Sequence, residues 1–278
     1  PKMSKMGEFQ QLQEIDGLEI SAVSADLYGS GRDDLCLFYF KDGANYGAVY
    51  TNNSICSESI TWNRNIRKKF IKALLVNTKN ANTFTGSQGQ ESLESISKNL
   101  AKNLTLKEAQ KEDGTKNVIK PNEILFASTG VIGEKFPAQE IKSSIPNLTD
   151  KLRDRQNKFV WFKAASSIMT TDTRPKLAYE ECRLWNKDIR LCGIAKGSGM
   201  ISPNLGTMLA FVFTDADIPS VFLKSLLKRA VANSFNAITV DSDTSTNDMV
   251  AIFSTNKVKT GKIYNVLDPK LKDFENAL

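Results

Sequence analysis

Short apolar segments alternate along this chain with polar loops and with segments of helical periodicity. Runs of apolar residues with the length of β-strands occupy 35–40, 47–50, 73–76, 125–127, 208–213 and 250–253. Residues 41–44 (KDGA) are a predicted turn between the first two of these strands. The pattern predicts an α/β (α+β) fold, with layered sheets covered by helices and a site built from the Asn-, Thr- and Gly-rich loops at the strand ends.

Three segments repeat apolar residues at the spacing of an α-helix. The first carries Leu93, Ile96, Leu100 and Leu104, and the second spans 159–169 and ends at the polar sequence TTDTRP. The third has an apolar stripe that we interpret as core rather than as a surface for a partner. Its members are Leu223, Leu226, Leu227, Ala230, Val231, Ser234 and Phe235.

The composition is that of a globular protein. Of 278 residues, 41% are apolar and 24% are charged, which excludes a disordered or collagen-like chain. No apolar run reaches the ~18 residues of a membrane span, and the first residues lack the apolar centre of a signal peptide. Four scattered cysteines (Cys36, Cys56, Cys182 and Cys192) indicate reduced thiols rather than a disulfide framework. We therefore expect a cytoplasmic protein with no membrane contact.

The sequence contains no histidine. This excludes Ser-His-Asp and Cys-His catalysis and zinc sites of the HExxH type for the residues present. An enzyme built from these residues needs a carboxylate, a lysine, a tyrosine or an α-amino group as its base.

The net charge is +6, and five of the nine residues at 64–72 are basic. A basic cluster of this kind is compatible with nucleic-acid binding. No aromatic RNA-binding motif or zinc knuckle accompanies it. We interpret the cluster as a solvated segment leading into a strand and predict no nucleic-acid partner.

Two motifs that suggest ligand binding do not fit their templates. In Lys196-Gly-Ser-Gly199 the lysine precedes the glycines and a strand follows, whereas a phosphate-binding loop needs the lysine after the glycines and a helix next. Asp241, Asp243 and Asp248 lack the glycine and glutamate of a calcium loop, so capping and turn hydrogen bonds explain them better. The sequence therefore predicts no nucleotide site at 196–199 and no metal site.

Two other segments have catalytic potential. The sequence STGVIG at 128–133 ends a strand, and backbone N–H groups in such a turn can face a developing oxyanion. Gly206-Thr207 suggests a threonine whose own α-amino group, freed by cleavage of the preceding bond, serves as base. An ordinary turn at the start of a strand remains the alternative for this pair.

Five segments, in this order along the chain, resemble the ornithine acetyltransferase (glutamate N-acetyltransferase) family of arginine biosynthesis. They are NTKNANTFTG (77–86), STGVIG (128–133), IMTTDTRPK (168–176), KGSGMISPNLGTML (196–209) and SFNAITVDSDTSTND (234–248). The resemblance implies a self-processing DmpA/ornithine acetyltransferase-like fold. It also implies self-cleavage between Gly206 and Thr207, which gives an α chain of 1–206 and a β chain that begins at 207 and includes 207–278.

The resemblance also implies the chemistry of the site. Thr207 is then the nucleophile that carries acetyl from N2-acetylornithine to L-glutamate, and Thr129 and Gly130 stabilise the oxyanion. Lys196, Thr207 and a threonine of Thr170-Thr171 bind substrate. No metal or redox cofactor is implied, although some family members accept acetyl-CoA as a donor. The expected assembly is a heterotetramer of two α and two β chains.

Three features depart from the family pattern. Gly206 stands where the family usually has alanine, and Thr78-Lys79 stands where it usually has Ser-Gly. Only 72 residues (207–278) follow the expected cleavage site, so we expect the β portion to be truncated. Two alternatives stay open: a self-processing N-terminal-threonine aminopeptidase or amidohydrolase, and a non-catalytic relative.

Overall fold

The structure, a computed structural model, describes residues 14–111, 117–170, 174–197, 207–235, 247–259, 261 and 271–278. The strands in these ranges are β1 (Leu18–Val23), β2 (Leu35–Tyr50), β3 (Phe70–Asn77), β4 (Ile124–Ser128), β5 (Lys176–Leu184), β6 (Lys187–Lys196), β7 (Leu209–Ala216) and β8 (Met249–Val258). The helices are α1 (Glu58–Asn65), α2 (Ser87–Ala109), α3 (Ala138–Asp150), α4 (Lys158–Ser167), α5 (Ser220–Phe235) and α6 (Lys272–Ala277).

The strands form one sheet in the order β4-β3-β2-β8-β7-β6-β5, with β1 paired to β2 outside this path. The β3–β4 and β7–β8 pairs are parallel and the others are antiparallel. Polar loops follow β3 and β4, and polar segments precede β7 and β8. Loop residues from distant parts of the sequence therefore lie next to each other at the ends of these paired strands.

The long strand β2 links the two halves of the sheet. Its first part pairs with β1 and β3, and its last part pairs with β8. The predicted turn at 41–44 is wrong, because these residues remain in β2 and the pairing with β3 shifts register between Tyr39 and Ala44. Gly43 has φ +81°, and a Cβ there would lie 2.1 Å from the Phe70 ring, so the glycine permits an irregularity within the strand instead of a reversal.

An apolar layer joins the two halves of the sheet. Phe38 of β2 stacks on Phe213 of β7 with ring centroids 4.6 Å apart, although β8 separates these strands in the sheet. Trp161 of α4 is fully buried in the same layer. The halves therefore pack face to face with α4 against their shared core.

Helices cover the outer faces of the sheet. The face of α2 formed by Leu93, Ile96, Leu100 and Leu104 packs with α3 residues over one half, as its spacing predicts. Leu223, Leu226 and Leu227 of α5 are buried over the other half with Phe274 of α6. The predicted layered α/β fold with helices over the sheet is thus confirmed.

Some elements have no clear signal in the sequence. In β5 most side chains are exposed on both faces, so the apolar pattern of a strand is absent and this strand was not predicted. The basic segment at 64–72 forms the end of α1, an exposed connection and the start of β3, as interpreted. In this segment Arg64 donates to Thr51 O at 2.9 Å and Lys68 lies 3.9 Å from Glu123.

Candidate active site

A buried lysine links two of the predicted site threonines. The Nζ atom of Lys196 donates to Thr129 Oγ1 at 3.1 Å and to Thr170 Oγ1 at 2.8 Å. The Lys196 side chain is only 1% exposed, and it reaches the site from the last position of β6. The hydroxyls compensate part of the cost of burying an ammonium group, and Lys196 in turn holds both hydroxyls in place.

Thr207 lies beside this lysine. Lys196 pairs with Leu209 in the β6–β7 register, which puts Thr207 just before the paired end of β7. A Cβ at Gly197 would lie 3.2 Å from Thr207 O, so the two chain segments are in close contact at this point. Thr207 is 7% exposed. The structure therefore brings Thr129, Thr170, Lys196 and Thr207 together at one end of the sheet.

Backbone hydrogen bonds to the loop after β3 fix the turn that follows β4. Thr129 N donates to Asn77 O at 3.1 Å and Val131 N donates to Lys79 O at 3.0 Å, so these neighbours clamp Gly130 from both sides. Gly130 has φ +133°, and a Cβ there would lie 2.2 Å from the carbonyl carbon of Lys79. Only glycine fits this conformation and this close approach.

A network of hydroxyl and amide groups connects this turn to the loop after β3 and to α1. Ser128 Oγ donates to Asn77 Oδ1 at 2.7 Å and lies 2.6 Å from Ser59 Oγ. Asn77 Nδ2 donates to Asn80 O at 2.9 Å, which fixes the loop that follows β3. The segments 77–86 and 128–133 were quoted as motifs, but no role was predicted from the sequence for Ser59, Asn77, Asn80 or Ser128. The signal for them was the Asn-rich loop directly after a buried strand, next in the sheet to the strand that carries the turn.

Asp248 holds the start of β7. Its Oδ1 accepts from Met208 N at 2.8 Å, and Met249 N donates to Met208 O at 3.0 Å. The carboxylate thus fixes the residue that follows Thr207 against β8. This is a side-chain hydrogen bond to the backbone, the type of contact expected for Asp248, while Asp241 and Asp243 lie outside the described residues.

Three of the four cysteines, Cys36, Cys182 and Cys192, are buried, and Cys56 is partly exposed. All four are free thiols. Burial raises the pKa of Cys36 to about 12 and raises that of Cys192 well above its usual value. These two thiols are therefore protonated at neutral pH and are not nucleophiles. In the described residues, no group of three His, Cys, Asp or Glu side chains is arranged to hold a metal ion.

Two of the predicted site residues, Thr171 and Gly206, lie outside the described residues, as do the segments 198–206 and 236–246. None of the helices in the described ranges combines the length and the apolar character that crossing a bilayer requires.

Comparison with known proteins identifies relatives over nearly the whole chain. The family model of ArgJ matches residues 19–278. The arginine biosynthesis bifunctional protein ArgJ of Gluconobacter oxydans is 41% identical over 268 residues, which are 96% of this chain and 59% of that protein. The chain thus spans about three fifths of the length of this relative.

Solved structures share the fold. An ornithine acetyltransferase from Mycobacterium tuberculosis, complexed with ornithine, has a TM-score of 0.56 at 22% identity and covers 70% of this chain and 93% of its own. The L-aminopeptidase D-Ala-esterase/amidase of Ochrobactrum anthropi, described as a variant of the Ntn hydrolase fold, has a TM-score of 0.55 at 11% identity. It covers 95% of this chain and 80% of its own.

Proposed function

The chain belongs to the ArgJ family, and we propose that it is an acyltransferase of arginine biosynthesis that moves acetyl from N2-acetylornithine to L-glutamate. The observation that carries the proposal is the buried Lys196, which joins Thr129 and Thr170 beside Thr207. These are residues that the resemblance assigned to one site, and they come from separate segments of the chain.

The first step is self-cleavage. Thr207 Oγ1 attacks the carbonyl carbon of Gly206, and the peptide nitrogen leaves to become the α-amine of Thr207. Water then hydrolyses the resulting ester, which leaves a carboxylate on Gly206 and the free hydroxyl on Thr207. The products are an α chain of 1–206 and a β chain that begins at Thr207, whose freed amine serves as the base.

Transfer follows as two acyl exchanges. The Thr207 amine takes the hydroxyl proton as Oγ1 attacks the acetyl carbonyl of N2-acetylornithine, and the proton passes to the departing ornithine amine. The amine of glutamate then attacks the acetyl-threonine ester, and Thr207 Oγ1 recovers a proton. Negative charge develops on the acetyl oxygen in both exchanges, and hydrogen-bond donors must stabilise it.

Lys196 determines which way Thr129 donates. An ammonium group can only donate hydrogen bonds, so Thr129 Oγ1 accepts from Lys196. The single O–H of Thr129 is then directed at another acceptor, which in the transition state is the acetyl oxygen. The N–H of Gly130, whose conformation the loop after β3 fixes, is the second donor.

We further propose that no metal or redox cofactor takes part, because acetyl exchange between amines through an ester needs neither. Acetyl-CoA can serve as a second acetyl donor by the same ester. The assembly is a heterotetramer of two α and two β chains, located in the cytoplasm, without a nucleic-acid partner.

Intact mass under denaturing conditions, with sequencing of the amino terminus of any fragment, tests the cleavage. We expect a fragment that starts Thr207-Met208-Leu209. A transfer assay with N2-acetylornithine and glutamate then tests the acceptor. Thr207→Ala should abolish both cleavage and transfer, whereas Thr207→Ser, which keeps a hydroxyl, should retain part of each.

A single uncut chain without transfer would overturn the proposal, as would normal transfer by Thr207→Ala. Cleavage followed by release of acetate or of an amino-terminal residue, with no transfer to glutamate, would instead support the hydrolase. The aminopeptidase structure shares only the fold with this chain, at 11% identity, and does not favour this outcome.

A further inference from the structure

Lys79 has a backbone conformation that is unfavourable for lysine. Its φ is +73°, in the left-handed region that glycine adopts without cost. The conformation follows from the position of its carbonyl group, which accepts from Val131 N at 3.0 Å beside Gly130. A glycine would make the same backbone contacts with less strain. A side chain kept at a strained position next to a site suggests that the side chain has a role there.

The Lys79 side chain shares an aromatic ring with an arginine. Lys79 Nζ lies 5.5 Å from the centroid of the Tyr28 ring, and Arg32 Cζ lies 4.5 Å from the same centroid. Within the part of the chain that the structure describes, neither cation is within ion-pair distance of a carboxylate. Asp33, which adjoins Arg32 in sequence, lies 3.7 Å from Lys163 instead.

Both cations are attached to the candidate active site. Arg32 Nη2 donates to the carbonyl of Met169, and the next residue, Thr170, accepts from Lys196. The backbone of Lys79 is fixed through its contacts with Gly130 and Val131. The two positive charges are thus anchored to the two threonine segments that Lys196 connects.

We propose that Lys79 and Arg32, held by the Tyr28 ring, form an oxyanion-binding rim at the candidate active site. Both cations lie near one ring and have no carboxylate partner among the described residues, so a nearby anion would be attracted to both positive charges. The rim would bind a carboxylate or phosphate oxyanion of a substrate through charge-assisted hydrogen bonds.

The identity of the substrate rests on the proposed function, whereas the rim itself does not. Glutamate offers a second carboxylate and acetyl-CoA offers phosphates, so the same chemistry has two sources. Glutarate represents the first source and inorganic pyrophosphate the second. Neither probe has an acetyl group, so their binding is measured independently of turnover.

The test is the shift in thermal unfolding midpoint that each probe produces at constant ionic strength, which separates specific binding from screening. At least one probe should stabilise the wild-type protein. Lys79→Gln and Arg32→Gln should weaken its affinity by about tenfold, the effect of one lost charge-assisted hydrogen bond. The difference between the midpoints with and without probe cancels any change that a substitution causes in the unliganded protein.

Two controls separate the rim from general charge effects. Lys102→Gln removes one positive charge from an exposed position on α2 and should keep the full shift. Tyr28→Phe keeps the ring and should keep the shift, whereas Tyr28→Leu should reduce it. The proposal would be overturned if neither probe raised the unfolding midpoint. It would also be overturned if Lys102→Gln reduced the shift as much as Lys79→Gln does.

Kinetics distinguishes failure of the rim from failure of the proposed function. In Lys79→Gln the KM of the substrate that corresponds to the binding probe should rise by about tenfold, with little change in kcat. Unchanged KM values in an active enzyme would overturn the rim alone. Probe binding that depends on Lys79 in a protein without acetyl transfer would support the rim and count against the proposed function.

Discussion

Lys196 and Thr129 meet at 3.1 Å, Nζ to Oγ1, although β6 and β4 are separated in the sheet by β3, β2, β8 and β7. The contact exists because the two halves of the sheet face each other across the apolar layer. The same face-to-face packing that buries the core therefore brings the ends of two distant strands into one site.

Removing the ammonium group of Lys196 should stop acetyl transfer. Lys196→Met keeps the length and the apolar stem of the side chain but leaves the hydroxyls of Thr129 and Thr170 without their shared donor. We expect transfer to fall by about 10²-fold or more, the effect of disturbing an oxyanion donor. Steady-state transfer from N2-acetylornithine to glutamate is the measurement. Lys187→Met, at the exposed start of the same strand, is the control and should be active. A fully active Lys196→Met enzyme would contradict the role of this lysine.

The rate of acetyl transfer should depend on the hydroxyl group of Thr129 more than on the volume of its side chain. Thr129→Val keeps the volume and removes the O–H group, so transfer should slow by about 10²–10³-fold and self-cleavage should slow as well. Thr129→Ser keeps the donor and should stay within about tenfold of the wild type. Rates of both reactions, followed by mass spectrometry and by the transfer assay, check this prediction. Equal rates for the Val and Ser variants would show that the hydroxyl does not take part.

Gly130 and Gly133 form a matched pair for testing the turn. Both have positive φ, +133° and +84°, but a Cβ at Gly130 would lie 2.2 Å from Lys79 C whereas one at Gly133 would meet nothing within 4 Å. Gly133→Ala should lose about 1–3 kcal/mol of unfolding free energy from backbone strain alone. Gly130→Ala should lose more and should also lose transfer, because the backbone of Lys79 must move. Urea unfolding of both variants is the measurement, and equal losses would contradict the close approach.

Glu19 should make stability depend on pH. Desolvation by burial raises the pKa of Glu19, and the nearby Lys111 ammonium, at 3.9 Å, only partly opposes this. Below the pKa values of both the folded and the unfolded state, the Glu19 carboxyl is protonated in either state and its ionisation does not lower the free energy of unfolding. As pH rises, the unfolded state loses the proton first, so the folded state loses stability. Glu19→Gln should therefore gain unfolding free energy relative to wild type between acidic and neutral pH.

Urea unfolding at several pH values measures this gain. Glu94→Gln, at an exposed position on α2, removes a carboxylate that is not buried and should show no such trend. A difference between Glu19→Gln and wild type that stays constant with pH would contradict the shift in the Glu19 pKa.

The sequence by itself determined much of this protein. Apolar runs and helical spacing located most of the strands of the sheet and the helices α2, α4 and α5, because burial on one face leaves a period that can be read locally. The order of five motifs indicated the family, and the absence of histidine restricted the chemistry of the site. The apolar pattern did not predict β5, because both faces of this strand are largely exposed. It also predicted a turn at 41–44, where the strand β2 continues through an irregularity.

The resemblance to a known family assigned Thr129, Thr170 and Lys196 to one site, but only the tertiary structure decided how these side chains contact one another. Lys196, Thr129 and Thr170 are each ordinary loop or strand-end residues in the sequence, and their meeting depends on how the sheet folds over its core. The clamp of Lys79 on Gly130 and the ring that Lys79 shares with Arg32 are likewise contacts between distant segments. The burial of each residue leaves a periodic pattern in the sequence, so strands and helices can be predicted locally. The distances between side chains of a site depend on how distant segments pack, and no local pattern contains them.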